Sequence, residues 1–318
     1  MSRAVLTIEH AGPLTTVQDA GRPGYARFGV TAAGPMDRLA HAAANVAIGN
    51  PSGACAIETA LGGITVAVGE GSIAIAVAGG APVVTIDGAR VEAWSVHTLG
   101  RDARLAIRPG RWGSWTYLAL AGTIPAKRWL GSSATHPQSG FGGRIIATGD
   151  TLVIDDARSG PVTPRSLPLP VGARPRQDIR VVLGPQDRFF SSEVQQSFLS
   201  GVYTVTDAYD RMGMRLGGPK LAISGSLDML SEAIVRGSVQ VPGHGDPIVL
   251  LADHQTTGGY PKIATVIGAD QDGLAQLRPR EHLTFRTVSP DQAVAAARIR
   301  DRQNRAYLQA IGSKGSRQ

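Results

Sequence analysis

The densest group of reactive side chains lies in one stretch, Leu250-Leu-Ala-Asp253-His-Gln255-Thr256-Thr257-Gly258-Gly259-Tyr260-Pro-Lys262-Ile263-Ala-Thr-Val266. An apolar run enters a turn with two hydroxyls, two glycines, a tyrosine and then a lysine, and becomes apolar again. Such a turn gathers backbone amides, an amide side chain and a cation in one place, which suits an anionic or carbonyl oxygen. An ordinary glycine-rich hairpin fits the same residues. A second group is Asp210-Arg211-Met212-Gly213-Met214. Here Arg211 offers a rigid fork for a carboxylate, and Gly213 lets a ligand approach the backbone. A third is Ser231-Glu232 with Gly237-Ser-Val-Gln240-Val-Pro242. Glu232 can act as an acid or base, or can hold Arg211 in a structural pair. Gln18-Asp19-Ala-Gly-Arg22 is a weaker counterpart of the Lys262 turn.

Several chemistries are excluded by pattern. The sequence has no Gly-x-x-x-x-Gly-Lys-Ser/Thr phosphate loop, no Gly-x-Gly-x-x-Gly opening a helix and no His-Glu-x-x-His pair. No Gly-x-Ser-x-Gly elbow occurs, and Gly131-Ser132-Ser133 reads as a loop. The single cysteine, Cys55, supports neither a thiolate zinc site nor a disulfide framework and fits a reducing compartment. No metal site is expected.

The elements that must position these residues are mostly strands. The chain has 318 residues, long enough for two domains, with 40 Gly and 20 Pro. Strands are expected at Val5–Ile8, Ile64–Val68, Ile73–Val77, Val83–Ile86, Leu105–Ile107 and Trp115–Leu120. In the second half they are expected at 179–183, 202–205, 221–223, 239–241, 248–251 and 283–285. Three-and-four spacing predicts a helix over 35–48, with Pro35 in its first turn. A short helical pattern covers 189–199, and a C-terminal one covers 290–311. The division predicted is a β domain over 1–157, a proline-rich linker over 158–177, a second β domain over 178–290 and a basic helix and tail over 291–318.

The net charge of +7 invites a nucleic-acid reading. Its placement argues against one, because residues 298–318 carry six basic residues against Asp301 alone. The basic helix reads as a solvated face, with docking to an acidic partner as the alternative. The charge-free apolar run 71–86 is too short for a spanning helix, and no secretory leader pattern opens the chain. A soluble cytoplasmic protein is expected.

The halves also repeat. Tyr25-Ala-Arg-Phe-Gly-Val30 matches Tyr209-Asp-Arg-Met-Gly-Met214, and Gly34-Pro35 matches Gly218-Pro219 at the same offset. Glu58-Thr-Ala-Leu-Gly-Gly63 resembles Glu232-Ala-Ile-Val-Arg-Gly237. This reads as one β unit doubled, with chemistry kept in one copy.

Five segments resemble the family called allophanate hydrolase subunit 2, which includes the C subunit of 5-oxoprolinase and the carboxyltransferase domain of urea amidolyase. They are Thr16–Arg22, Gly34–Asp37, Asp210–Gly213, Gly237–Pro242 and Leu251–Val266, spread over nearly the whole chain. The resemblance implies a mainly β fold, with two tandem cyclophilin-like β-barrel domains and a C-terminal helix. It implies Lys262, Gln255, Thr256 and Glu232 as catalytic candidates, and Arg211, Gln240, Thr257, Gly258, Gly259 and Tyr260 as substrate-binding candidates. Gln255, Thr256 and the Gly258–Gly259 amides would polarise a carbonyl, Lys262 would hold a carboxylate or oxyanion, and Arg211 would orient substrate. Ala233 stands where the family often has glycine, which argues against a left-handed turn there.

The resemblance further implies a small amide or lactam substrate, with ATP-dependent opening of 5-oxoproline to glutamate as the leading activity. One expected partner is a protein of the allophanate hydrolase subunit 1 type, to which the B subunit of 5-oxoprolinase belongs. The other is the A subunit of 5-oxoprolinase. No cofactor is expected to be covalently bound; ATP is used by the complex. The first alternative is carboxyl transfer from carboxybiotin on a separate carrier, since no Ala-Met-Lys-Met attachment segment is present. The second is a regulatory binder of a subunit 1-type partner or a histidine kinase.

Overall fold

A computed structural model describes residues 2–159, 164–224 and 229–313. The chain forms two compact units. One comprises Met1–Arg22, Asp37–Arg174 and Gln303–Gln318; the other comprises Pro23–Met36 and Pro175–Arg302. The division therefore departs from a single cut at 158–177, because Pro23–Met36 packs with the second unit and the end of the C-terminal helix with the first.

In the first unit twelve strands form two six-stranded sheets. One runs Thr151–Asp155, Arg3–Ala11, Ile64–Glu70, Arg104–Arg108, Val83–Ile86, Ala89–Val91. The other runs Arg165–Ser166, Ser95–Leu99, Ile73–Ala78, Thr116–Leu120, Ala56–Thr59, Thr16–Gln18. Barrel closure is seen in the second unit; twelve strands here are accommodated as two sheets sharing one apolar core. Leu6, Ile8, Val66 and Ile107 come to that core from one sheet, and Ile57, Ile75, Leu118 and Leu120 from the other. Ile73–Ala78 and Thr116–Leu120 are buried along their whole length because helix Arg38–Ala47 covers them. That cover explains why both read as unbroken apolar runs. The helix starts later than Pro35, since the Asp37 side chain caps it by accepting from the Ala40 amide at 3.0 Å.

The proline-rich stretch is not a bare linker. Arg165–Ser166 pairs with Val96 and Ser95 as an edge strand, a position that tolerates neighbouring prolines. Residues 160–163 of that stretch lie outside the described residues, as do Lys314 and Arg317 of the basic tail.

The second unit is a closed seven-stranded barrel. Its strands, in order around the barrel, are Asp178–Leu183, Lys262–Val266, Ser238–Gln240, Ile248–Leu250, Gly213–Gly217, Val202–Tyr209 and His282–Thr287. The last pairs in parallel with the first, Ile179 opposite Phe285. Closure leaves no barrel edge unpaired. Helix Ser192–Ser200 packs on His282–Thr287, where Phe198 stacks on Phe285 at 4.6 Å. The strand expected at 221–223 does not form: only Leu221 is buried, and its amide is satisfied by the Gly245 carbonyl at 3.0 Å. A separate two-stranded ribbon joins Glu232–Ala233 to Thr257–Gly258. Ala233 thus takes an extended backbone.

Candidate functional site

Lys262 begins a barrel strand and is only 2% exposed. Gln186 holds it in place as a detached strand residue would. The Lys262 amide donates to Gln186 Oε1 at 2.9 Å, and the Gln186 amide donates to the Lys262 carbonyl at 3.2 Å. The ammonium then faces the Ala233 carbonyl at 3.3 Å and Glu232 Oε2 at 3.5 Å. Gln186 Nε2 donates to the same Glu232 oxygen. Glu232 is therefore a carboxylate supported from behind by a buried amide and a buried cation, while its side chain stays 47% exposed. Burial makes the support effective, since an ammonium away from water keeps its field.

The ribbon brings the glycine turn to this carboxylate, with Gly258 opposite Glu232. Gly258 also lies against Gln240: a Cβ there would fall 2.5 Å from Gln240 Nε2. Any side chain there would displace the Gln240 amide from this position. Gln240 is buried and donates to the Tyr260 carbonyl at 3.5 Å, while Gln255 Nε2 reaches Gln240 Oε1 at 3.5 Å. Both contacts sit at the long limit for a hydrogen bond, so a ligand can take either amide at small cost.

Gln240, Gln255 and Tyr260 line a cavity of about 460 Å³ on the barrel. Ile248, Leu250 and Met212 supply apolar wall, and Asp207, Asp210 and Arg215 supply charge. Lys262, Glu232, Thr256, Thr257, Gly258 and Gly259 do not line it. Thr256 takes part in the fold through its carbonyl, which accepts from the Ile234 amide at 3.1 Å. The expected residues thus divide into a cavity group and a carboxylate group, linked where Gln240 meets Gly258.

Arg211 belongs to neither group. It is 2% exposed and its fork grips Asp253 through bonds of 2.7 and 2.8 Å, with a third bond of 2.7 Å to the Gly34 carbonyl. The partner of Arg211 is Asp253, and that of Glu232 is Lys262. A guanidinium so engaged shapes the fold and has no geometry left for orienting a substrate. Sequence reasoning missed Gln186, Asp207 and Arg215. Arg215 had a signal in the alternation of strand Gly213–Gly217, which puts Met214 and Leu216 inside and Arg215 outside. Gln186 had none, because its role depends on a contact with a strand 76 residues away.

A family model described as "Carboxyltransferase domain, subdomain A and B" matches residues 28–287. The chain belongs to the carboxyltransferase-domain family. Among its members, the C subunit of 5-oxoprolinase from Haemophilus influenzae is 36% identical, covering 93% of this chain and 94% of the relative. Its counterpart from Escherichia coli is 33% identical, covering 94% and 96%. The crystal structure of the Kluyveromyces lactis urea amidolyase superposes with a TM-score of 0.86 at 26% identity. That match covers 96% of this chain but 20% of the amidolyase, so the chain corresponds to one part of a much longer enzyme. Kinship with this carboxyltransferase-domain family assigns the chain the role of an enzyme subunit that works in a larger complex. Among the described residues no helix is long and apolar enough to cross a membrane, and no cluster of three or more His, Cys, Asp or Glu can hold a metal ion.

Proposed function

We propose that the chain is the carboxyltransferase-type subunit of a cytoplasmic complex that opens 5-oxoproline to glutamate with ATP. The observation that carries this reading is the half-exposed Glu232 carboxylate held by buried Lys262 and Gln186, beside a cavity bearing two retargetable amides. In this reading Gln240 and Gln255 hold the lactam carbonyl and N–H. Glu232 moves a proton at the lactam nitrogen or the attacking water, and Lys262 positions it. The near-full-length relatives, both C subunits of 5-oxoprolinase, support lactam over urea. The partners are subunits of the 5-oxoprolinase A and B types. The cavity's charges are two carboxylates and one guanidinium, a poor fit for a triphosphate, so this reading places ATP on another subunit. When bound there, ATP supplies the free energy for ring opening.

A second reading, carboxyl transfer from carboxybiotin on a separate carrier, is favoured by the family match and by the urea amidolyase superposition. The test is co-expression with the two partner subunits and an assay of ATP-dependent glutamate release from 5-oxoproline. Release that resists avidin supports lactam opening. No release, together with avidin-sensitive carboxylation of urea, overturns it in favour of transfer. Glu232→Gln should leave the complex assembled and lower turnover about 100-fold or more. Turnover within twofold of the parent would remove Glu232 from the chemistry.

A further inference from the structure

Of the three charged groups lining the cavity, one carboxylate is engaged within the fold, while Asp207 and Arg215 have no side-chain partner among the described residues. Asp210 is engaged as a turn acceptor, taking the Met212 amide at 2.8 Å and the Gly213 amide at 3.1 Å. Tyr209 sends its hydroxyl to the Ala275 carbonyl. Arg215 is the one cation in the lining, and among the described residues no hydrogen bond or ion pair engages its guanidinium. Its backbone is nevertheless well placed. Thr206 Oγ1 donates to the Arg215 carbonyl at 3.1 Å and accepts from the Ala208 amide at 3.3 Å, which braces the irregular pairing between Val205 and Tyr209. Irregular pairing of this kind re-aims the side chains beside a site. Across the strand Arg215 stands opposite Ile248, another lining residue.

We propose that Arg215 receives a carboxylate of the substrate, and that this contact selects a small lactam or cyclic amide bearing an acid group over neutral amides such as urea. A planar fork with unused donors matches a carboxylate bidentately. Elsewhere in the lining Gln240 and Gln255 suit an amide C=O and N–H, and Ile248, Leu250 and Met212 suit ring methylenes, while the Asp207 and Asp210 carboxylates disfavour an acid group away from Arg215. Urea has no group for Arg215 and no methylenes for the apolar wall. The proposal rests on the reading of this cavity as the substrate site and assigns to Arg215 the role that Arg211, locked onto Asp253, does not fill.

The experiment compares Arg215→Ala and Arg215→Lys with the parent in the reconstituted complex, using 5-oxoproline and its neutral analogue 2-pyrrolidinone. The expected result for Arg215→Ala is a KM for 5-oxoproline raised about 10- to 100-fold with kcat nearly kept. Turnover of 2-pyrrolidinone should be unchanged, and Arg215→Lys should recover part of the loss. Equal losses on both compounds, or a 5-oxoproline KM within twofold of the parent, overturn the proposal. A binding arm separates it from the parent reading. Calorimetric titration of the complex with each compound reports carboxylate recognition without turnover. Arg215-dependent binding of 5-oxoproline in a complex that releases no glutamate would sink ring opening and leave carboxylate selection standing. Binding indifferent to Arg215 would sink carboxylate selection whatever the turnover.

Discussion

Two glutamates 174 residues apart illustrate how the halves of this chain have diverged. Glu58 and Glu232 each sit in a short strand and each precede a glycine by five residues. Those glycines, Gly63 and Gly237, have φ of 70° and 91°, a region that disfavours any side chain. A Cβ on them would come within 2.3 Å of the Ile107 carbonyl and 2.6 Å of Gln271 Nε2, respectively. Around this shared scaffold the carboxylates have opposite surroundings. Glu58 is fully buried and accepts the Tyr117 hydroxyl at 2.7 Å, while that hydroxyl also accepts the Asp37 amide. Nearby, Asp19 accepts from the Gly21 amide, the Ser132 hydroxyl and the Ser133 amide. Glu58 and Asp19 of the first unit thus spend their oxygens on neighbouring groups of the fold. Glu232 of the second is supported from below and left open above, an arrangement that can serve a ligand.

The comparison makes its sharpest prediction at the two glutamates. Glu232→Gln should cost the reconstituted complex about 100-fold or more in kcat with little change in denaturation midpoint. Glu58→Gln should instead leave kcat within a few-fold and lower stability by about 1–3 kcal/mol in urea unfolding. Reversed outcomes would erase the distinction between the halves. Next, Asp253→Ala strands the buried Arg211 charge, and should destabilise the second unit by about 3–5 kcal/mol on chemical denaturation. A loss below about 1 kcal/mol would return Arg211 to the substrate contacts.

A third prediction uses pH. Burial pushes the His41 imidazole down to about 4 from 6.5, opposed by the Gln18 carbonyl and the Asp19 charge. Below pH 6.5 the unfolded chain takes up a proton that the folded chain refuses. This residue's contribution to stability should therefore fall by about 1.4 kcal/mol per pH unit down to about pH 4 and level off below. Replacing His41 with Gln should flatten that slope in denaturation curves recorded from about pH 7 to about pH 4. The smallest effect is expected for Gln255→Ala, about 10-fold in kcat/KM with an unchanged melting temperature, since its one described side-chain contact is long.

Much of this was legible in the residues. Alternating and β-branched runs located most strands, because a half-buried sheet imposes that pattern directly. The polar turn before Lys262 was identifiable as a site because so many hydrogen-bonding groups rarely crowd one turn. What could not be read was pairing across the fold. Arg211 and Glu232 look like natural partners in the sequence, yet Asp253 and Lys262 occupy them, and such choices depend on register between distant strands. The repeat was also partly misaligned. At the offset of 184 the Tyr-x-Arg motif falls in a 3₁₀ turn at Ala26–Phe28 in one copy and in a strand ending and its hairpin in the other. At 174 the glutamate and its left-handed glycine agree in both.

The membership of Pro23–Met36 in the second unit bears on how this gene can be rearranged. That segment supplies the Gly34 carbonyl to Arg211, and the Pro35 and Met36 carbonyls to Arg236. A break in the proline-rich stretch would put these acceptors on one polypeptide and the arginines that need them on another. Fission into two open reading frames there, or a truncated clone beginning at Asp178, would deprive the barrel of part of its own hydrogen bonding. In the urea amidolyase of Kluyveromyces lactis the matching region is part of a far longer chain.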